Sequence, residues 1–274
     1  MLKSRIVTAV ILLLLFLFAL FVLPTVAWAV LVILMVLQGA SEWARLAKLS
    51  NRKASLFWGL TLLIMLVLVW YDASRPYEQQ ILLHLFVYAV SALLWVIIVP
   101  TWLIAGWKVK QPLLMALTGW MLLIPTGLAM LDLRVISPWL LLFVMGLVWV
   151  ADISAYFTGR KFGKSKLAPS ISPGKTWEGV WGAMAGVSLY VLLVGLLSPA
   201  FDQRQVLPAL LMASWWWVGL AVIGDLFESA VKRQAGVKDS GALLPGHGGL
   251  LDRIDALTST LPLAALVILL QEIK

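Results

Sequence analysis

Long apolar runs without charge alternate along the chain with short polar segments. The first run extends from Ile6 to Ala40, which is too long for one membrane span of about 20 residues and sufficient for two. Pro24 and Thr25 lie near its middle, so we predict a hinge there. Further apolar runs cover residues 56–71, 81–104, 113–131, 136–151, 177–198, 206–226 and 256–271. The pattern predicts an all-α polytopic integral membrane protein with about nine transmembrane helices.

The composition excludes most other classes of protein. Of the 274 residues, 62% are apolar and 12% are charged, and the mean hydropathy is +0.98, whereas a soluble domain is about 25% charged. A soluble globular domain, a disordered chain and a coiled coil are therefore excluded. The chain has no cysteine, which excludes disulfides, thiolate metal sites and cysteine nucleophiles.

The basic residues predict the orientation of the chain rather than a nucleic-acid partner. The net charge is +8, but the Lys and Arg residues lie in short segments between the apolar runs and not on one soluble face. With the N-terminus inside, 17 of the 21 Lys and Arg residues fall on the inner side, and Arg75, Arg134, Arg204 and Lys274 fall outside. This bias predicts a cytoplasmic N-terminus and an external C-terminus.

A cleavable signal peptide is the alternative for the N-terminal run. Lys3 and Arg5 precede an apolar stretch, and Ala27-Trp28-Ala29 is similar to a small-residue cleavage site. Trp28 is a poor middle residue for such a site and a second apolar run follows at once, so we favour two retained spans.

Two long polar segments on the predicted inner side, 152–178 and 225–255, contain most of the glycine and charged residues of the second half. We therefore predict an N-terminal region, 1–150, with about six spans. A C-terminal catalytic region, 151–274, would contain the other three spans and these two cytoplasmic motif loops.

The segment 225–255 carries acidic residues that topology does not require. If the preceding helix continues, Asp225, Glu228 and Lys232 share one face. A Gly/Pro-rich turn follows at 244–249, and the chain then enters the last span through Asp252 and Asp255. Carboxylates near a membrane are costly unless they are paired or bound to a cation. Carboxylates from different helices that meet across a turn suit a hard, oxygen-seeking ion such as Mg²⁺, so we predict a functional role for Asp225 and Asp252 together.

Ordinary helix capping is the alternative interpretation of this segment. It accounts for Asp252 at a helix start and Gly241 after a helix end. It does not account for His247-Gly248-Gly249 between two acidic clusters, where glycines let backbone amides approach a phosphate. For Glu228 and Asp255 taken singly, a functional and a structural role remain open.

The segment from Gly159 to Gly179 is basic. Its cations are Arg160, Lys161, Lys164, Lys166 and Lys175, and Ser172-Pro173-Gly174-Lys175-Thr176 predicts a tight turn. The P-loop pattern is missing, but cations beside a turn suit a polyphosphate. The alternative is a basic loop that contacts anionic lipid head groups. Asp152, just before this segment, is either a ligand or a partner of Arg160.

The stretch from Ser229 to Asp255 resembles the signature of the phosphatidate cytidylyltransferases, or CDP-diacylglycerol synthases. The matching positions are Ser229, Lys232-Arg233, Lys238-Asp239, Pro245, His247-Gly248-Gly249, Asp252-Arg253 and Asp255. Residues 172–179 and 152–163 also resemble family motifs, with Ile153-Ser154 where relatives often carry Thr-Gly. The resemblance covers 152–255, and the N-terminal half matches only in hydrophobicity and span number.

The resemblance implies a Mg²⁺-dependent reaction in which CTP and phosphatidic acid give CDP-diacylglycerol and pyrophosphate in phospholipid biosynthesis. It implies a multi-pass protein of the bacterial inner (cytoplasmic) membrane with its active site facing the cytoplasm, and a homodimer. The family's metal-binding aspartates carry over to Asp225 and Asp252.

The resemblance and the charge pattern together suggest a role for each polar residue. Asp225, Asp252 and Lys175 would be the catalytic residues, with Asp255 assisting at the metal. Lys175, Lys164 and Arg160 would hold the CTP phosphates. Lys232, Arg233 and Lys238 would receive the phosphatidate head or pyrophosphate. Further substrate contacts are expected from Asp152, Ser172, Thr176, Ser229, Asp239, His247, Gly248, Gly249, Arg253 and Asp255.

Two alternatives of other kinds remain. A transporter of an ion or nucleotide would also need many spans, but the charges lie on one side rather than at the midplane and no inverted repeat is visible. Another CTP-using membrane enzyme, such as a polyprenol kinase or an archaeal lipid cytidylyltransferase, would share the nucleotide chemistry and differ in the lipid acceptor.

Overall fold

The computed structural model of the chain describes residues 2–197, 206–243 and 248–272, without the side chains of residues 2–9, Tyr77 and Val206. Within these ranges it consists of ten α-helices and one two-stranded hairpin. The elements are α1 Leu2–Val22, α2 Thr25–Leu46, α3 Asn51–Ser74, α4 Tyr77–Leu93, α5 Val99–Ala105, α6 Pro112–Ile136, α7 Pro138–Phe162, β1 Lys166–Ala168, β2 Ser172–Thr176, α8 Trp177–Leu197, α9 Val206–Ala235 and α10 Leu251–Glu272.

The predicted class, an all-α polytopic membrane protein, is confirmed. Eight helices in the described part of the chain are long and apolar enough to cross a membrane, and α1 adds the apolar stretch Val10–Val22. Helices α4 and α5 form one of these spans, joined by a π-helical turn at Leu94–Ile98. The wider turn lies just before Pro100, whose missing N–H and bulky ring are hard to fit in a regular helix. The predicted hinge is also confirmed, because α1 ends at Val22 and α2 begins at Thr25.

Helices extend into both segments that polarity predicts as loops. Helix α7 continues to Phe162, α9 continues to Ala235, and α10 begins at Leu251. A hydropathy pattern marks where the lipid-facing stretch ends. A helix can continue beyond that point if its residues favour the helical conformation, as Lys, Arg, Glu and Ala do.

The predicted tight turn at Ser172–Thr176 is wrong, because these residues form strand β2. It pairs antiparallel with β1, with Lys166 opposite Thr176 and Ala168 opposite Ser172. The turn lies between the strands, where the Ile171 N–H donates to the Ala168 carbonyl at 3.1 Å. A proline and a glycine inside 172–176 resemble a turn in sequence, but the cross-strand bonds decide the structure.

Two tryptophans of α2 join it to α6 in the main hydrophobic core. The Trp28 indole N–H donates to the Met130 carbonyl at 3.2 Å, and that of Trp43 donates to the Met115 carbonyl at 2.7 Å. Helix α10 packs against α9 and also against α4 and α6 of the first half of the chain, while α8 packs on α7 and α9. The last helix is therefore held by both halves.

Phe227 positions α9 at the end of the helices where the polar segments lie. Its ring contacts Trp43 of α2, Trp95 of the π-helical turn and Trp102 of α5, with centroid distances of 6.5, 5.8 and 5.2 Å. Aromatic rings in such contacts bury large areas in fixed geometry. Phe227 therefore fixes the helix that carries Asp225 and Glu228.

Candidate active site

Most of the polar residues singled out by the sequence meet at one end of the helix assembly. Asp152 comes from α7, Lys175 from β2, Asp225 from α9 and Asp252 from α10. They form two neighbouring groups, one around Asp225 and one around Asp252.

The group around Asp225 lines a cavity of about 470 Å³ between α7, the hairpin, α8 and α9. Its polar lining includes Asp152, Arg160, Ser172, Lys175, Thr176 and Asp225. Alanines and valines of the three helices form the apolar wall. A cavity of this volume with a few convergent polar groups has the properties of a small-molecule site.

Lys175 and Asp225 form an ion pair across this cavity. The Lys175 Nζ lies 2.5 Å from Asp225 Oδ2, and both side chains are partly exposed. The Ser229 hydroxyl, one turn along α9, donates to Asp225 Oδ1 at 3.3 Å. Asp152 lies in the field of the same pair, where Asp225 repels it and Lys175 attracts it. The cavity thus offers cations and carboxylates side by side.

Arg160 and Thr176 both line the cavity but have structural contacts as well. Arg160 donates from Nη1 to the Tyr156 hydroxyl at 3.0 Å. The Thr176 hydroxyl accepts the Gly179 N–H at 3.2 Å, which is how a threonine caps the first turn of a helix, here α8.

The second group is centred on Lys232. Its Nζ lies 2.6 Å from Asp252 Oδ1 and 3.1 Å from Glu228 Oε1. The Lys232 side chain is 12% exposed, that of Glu228 7% and that of Asp252 6%. Lys232 is therefore the shared counter-ion of two buried carboxylates, a role that the sequence did not predict.

The carboxylate of Asp252 is held by its surroundings on both oxygens. Oδ2 accepts the Ser240 N–H at 2.8 Å, the Ser240 hydroxyl at 2.9 Å and the Gly249 N–H at 2.8 Å, and Oδ1 faces Lys232. Gly248 has φ +83°, a conformation that favours glycine, and a Cβ there would lie 2.6 Å from Asp252 Oδ2. Both motif glycines thus support the position of Asp252.

Sequence reasoning missed Glu42, near the end of α2. Its side chain is fully buried, and Ser240 donates from its hydroxyl to Glu42 Oε2 at 2.8 Å. Pairing with residues about 200 positions away cannot be read from one sequence. The available signal was the single carboxylate close to the end of the long uncharged run, since such a group is costly without partners.

The other predicted residues surround these two groups. Arg233 donates from Nε to the Ile171 carbonyl at 3.4 Å and so connects α9 to the hairpin. Asp255 lies near the negative charges of Asp225, Glu228 and Asp152. Lys164, Lys238, Asp239 and Arg253 are exposed around the site. His247 lies outside the described residues.

The carboxylates of the site have the donor chemistry that a hard divalent cation prefers, since Asp152, Asp225, Glu228, Asp252 and Asp255 supply only oxygen atoms. Among the residues that the structure describes, the three that bring ligand atoms within 4.8 Å of one another are instead Asp72, His84 and Asp132. Both oxygens of the buried Glu228 lack a hydrogen-bond donor, because the contact with Lys232 is an ion pair outside hydrogen-bond geometry. A buried carboxylate whose oxygens receive no hydrogen bond needs an explanation, and a bound cation is one.

A separate Asp–His–Asp cluster lies at the opposite end of the helices. His84 Nδ1 is 2.8 Å from Asp132 Oδ2, and His84 Nε2 is 2.9 Å from Asp72 Oδ1. One potential ligand atom from each of the three residues lies within 4.8 Å of the others, close enough for a shared ion. The Tyr88 hydroxyl also donates to Asp132 at 2.6 Å. The cluster joins α3, α4 and α6, far from the cavity lined by Asp225.

Known proteins are similar to this chain over nearly its whole length. The sequence profile of the Cytidylyltransferase family matches residues 3–271. A phosphatidate cytidylyltransferase of Haemophilus influenzae is 39% identical over 282 residues, covering 96% of this chain and 96% of that protein. One from Pseudomonas aeruginosa is 39% identical over 270 residues, covering 97% of this chain and 96% of that protein. A third, from Brucella abortus, is 48% identical over 120 residues, 43% of each chain.

Proposed function

This chain belongs to the cytidylyltransferase family, and we propose on that premise that it transfers the cytidylyl group of CTP to phosphatidic acid. The products are CDP-diacylglycerol, an intermediate of phospholipid biosynthesis, and pyrophosphate. The observation that carries the proposal is the similarity over nearly the whole chain to phosphatidate cytidylyltransferases. The cavity lined by Lys175, Arg160 and Asp225 supports it. Neither finding favours a transporter.

The reaction requires little acid–base chemistry from the protein. The nucleophile is a phosphate oxygen of the lipid, which is already ionised at neutral pH. It attacks the α-phosphorus of CTP, a new P–O bond forms, and the bond to the β-phosphate breaks to release pyrophosphate. The site must bring two polyanions together and stabilise charge on the transferring and leaving phosphates. The chain has no cysteine, and this chemistry requires no protein nucleophile.

The cavity residues have roles that follow from their charges. Lys175 and Arg160 would neutralise CTP phosphates, and Ser172 would donate a hydrogen bond to them. Mg²⁺, held by Asp225 and Asp252 with Asp255 nearby, would supply further positive charge for the phosphates. Because Lys175 rests against Asp225, its ammonium is already in the cavity when the nucleotide arrives.

The lipid would meet this cavity from the bilayer. Tyr156 lines the cavity and is 57% exposed, and its neighbour Phe157 is 65% exposed, so the α7 side presents aromatic surface to lipid. Arg233 and Lys238, exposed beside the site, are candidates for the phosphatidate head group. We place the protein in the bacterial inner membrane as a homodimer with the site facing the cytoplasm, where CTP is made.

The direct test is formation of CDP-lipid by purified protein in detergent from labelled CTP, phosphatidic acid and Mg²⁺. We expect turnover in the wild type and in Glu78→Gln, which alters an exposed carboxylate on α4 away from the site. Turnover should fall to background with EDTA and in Asp252→Asn. If folded wild-type protein gave no product with phosphatidic acid or any other lipid acceptor, the proposal would be wrong, and liposome transport would be tested.

A further inference from the structure

Glu42 is a buried carboxylate surrounded by hydrogen-bond donors. Its relative exposure is 0%. The four donors are the Gln38 side-chain amide at 2.8 Å, the Ser240 hydroxyl at 2.8 Å, and the backbone N–H groups of Leu250 and Leu251 at 2.9 Å each. Ser240 and Leu250 belong to the segment that leads into α10 and Leu251 is the first residue of α10, whereas Glu42 belongs to α2.

The two backbone contacts satisfy groups that α10 cannot satisfy itself. The first N–H groups of a helix have no partner within it, and a negative charge there is favourable. Helix α10 begins at Leu251, so the N–H groups of Leu250 and Leu251 are at its start. Glu42 therefore acts as a capping group supplied by a different helix.

Ser240 connects Glu42 to Asp252. The Ser240 hydroxyl lies 2.8 Å from Glu42 Oε2 and 2.9 Å from Asp252 Oδ2. One hydroxyl proton serves one carboxylate at a time, so the positions of the two carboxylates are coupled through it. Gly249, which donates to Asp252, lies directly against the Glu42 carboxylate.

Two glycines of this segment make room for Glu42. A Cβ on Gly249 would collide with the Glu42 carboxylate and with the Ser240 hydroxyl. A Cβ on Gly241 would lie 2.9 Å from Glu42 Oε1. The close approach of the backbone to Glu42 thus depends on residues that lack a side chain.

We propose that Glu42 is a positioning residue of the active site: it fixes the start of α10 and, through Ser240, the carboxylate of Asp252. The inference rests on the proposed function, since Asp252 is the residue through which Glu42 acts. Glu42 would thus influence catalysis although it lies in the N-terminal half of the chain, outside the motifs.

Glu42→Gln is the informative variant because it preserves size and removes charge. All four partners of Glu42 are donors, so the amide NH₂ of glutamine must face at least one of them. We expect kcat for CDP-lipid formation to fall about 10–100-fold, the usual effect of losing a residue that orients a ligand, with a much smaller change in KM for CTP. Glu42→Asp keeps the charge but is one methylene shorter, and should retain more activity than Glu42→Gln.

Thr61→Val is the matched control. Thr61 is also fully buried, and its hydroxyl accepts a bond from the Trp120 indole at 2.9 Å, away from the site. We expect this variant to lose stability comparably, measured by thermal unfolding in detergent, while its kcat is retained. A purely structural role for Glu42 would make the two variants behave alike.

Ser240→Ala covers the case in which Glu42→Gln does not fold. It removes only the bridging hydroxyl and should lower kcat while the start of α10 stays protected from amide hydrogen exchange. Exchange of the peptide containing Leu250 and Leu251 should accelerate in Glu42→Asp. With an active wild type, unchanged kcat in Ser240→Ala, and in Glu42→Gln where that variant folds, would overturn the inference and leave the proposed function intact. An inactive wild type would overturn the proposed function first, and the inference with it.

Discussion

Lys232 lies between Glu228 and Asp252 as an internal counter-ion. Removing one member of a buried ion pair leaves an uncompensated charge, which costs more than the pair itself contributes. The side chain that the motif suggested for substrate phosphates is therefore needed to keep two neighbouring carboxylates together at the start of α10.

We predict that Lys232→Met lowers the free energy of unfolding by about 3–5 kcal/mol. Lys232→Met combined with Glu228→Gln should recover much of that loss, because one of the two uncompensated charges is gone, but activity should stay low. Thermal unfolding in detergent checks both variants, with Lys238→Met as the exposed lysine control. A Lys232→Met protein as stable as the wild type would contradict the counter-ion role.

Individual residues of the site differ in how far sequence could predict them. Asp225 and Asp252 stand out because they are carboxylates at the ends of apolar runs next to glycine-rich segments. Glu42 does not, because its partners Ser240, Leu250 and Leu251 are 198 to 209 positions away. A single sequence shows which polar groups need a partner, but not which distant residue provides that partner.

Arg134 of α6 joins two helices at the end opposite the site. It donates from Nε to the Leu20 carbonyl at 2.8 Å and from Nη2 to the Leu23 carbonyl, at the C-terminus of α1. Its guanidinium also lies 5.0 Å from the ring centre of Trp28. A cation is favourable at a helix C-terminus, where carbonyls lack partners. Arg134 thus stabilises the break between α1 and α2 that Pro24 introduces.

Arg134→Gln should destabilise the protein by about 1.5–3 kcal/mol, the contribution of hydrogen bonds from a charged donor. Turnover per folded molecule should be unchanged, since the site lies at the other end of the helices. Arg75→Gln, an exposed arginine after α3, is the control for the loss of a charge. Equal unfolding temperatures for the two variants would contradict this role.

The sequence predicts secondary-structure elements correctly where hydrophobicity alone determines their position. The apolar runs identify the spans and the proline hinge, because lipid imposes length and composition. Helix ends such as Phe162 and Ala235, and the hairpin at 166–176, depend on local propensity and cross-strand bonds, which hydropathy does not report.

The orientation of the whole molecule can be tested directly because the chain has no cysteine. We predict that a membrane-impermeant maleimide labels Arg75→Cys in intact cells and labels Lys108→Cys only after permeabilisation. Both residues are exposed at opposite ends of the helices, and the excess of inner basic residues predicts this arrangement. Labelling in the reverse order would overturn the predicted topology.

The contact between Glu42 and the start of α10 also determines when the site can be completed during biosynthesis. Leu251 is synthesised 209 residues after Glu42, which takes roughly 10–40 s at ordinary translation rates. Until Ser240 is synthesised, near the end of that interval, the Glu42 carboxylate has none of its partners from the second half of the chain. A nascent chain that stops before Leu251 would hold the other helices that the structure describes and still lack both Asp252 and the Leu251 N–H that donates to Glu42, so α10 is the element that completes the site.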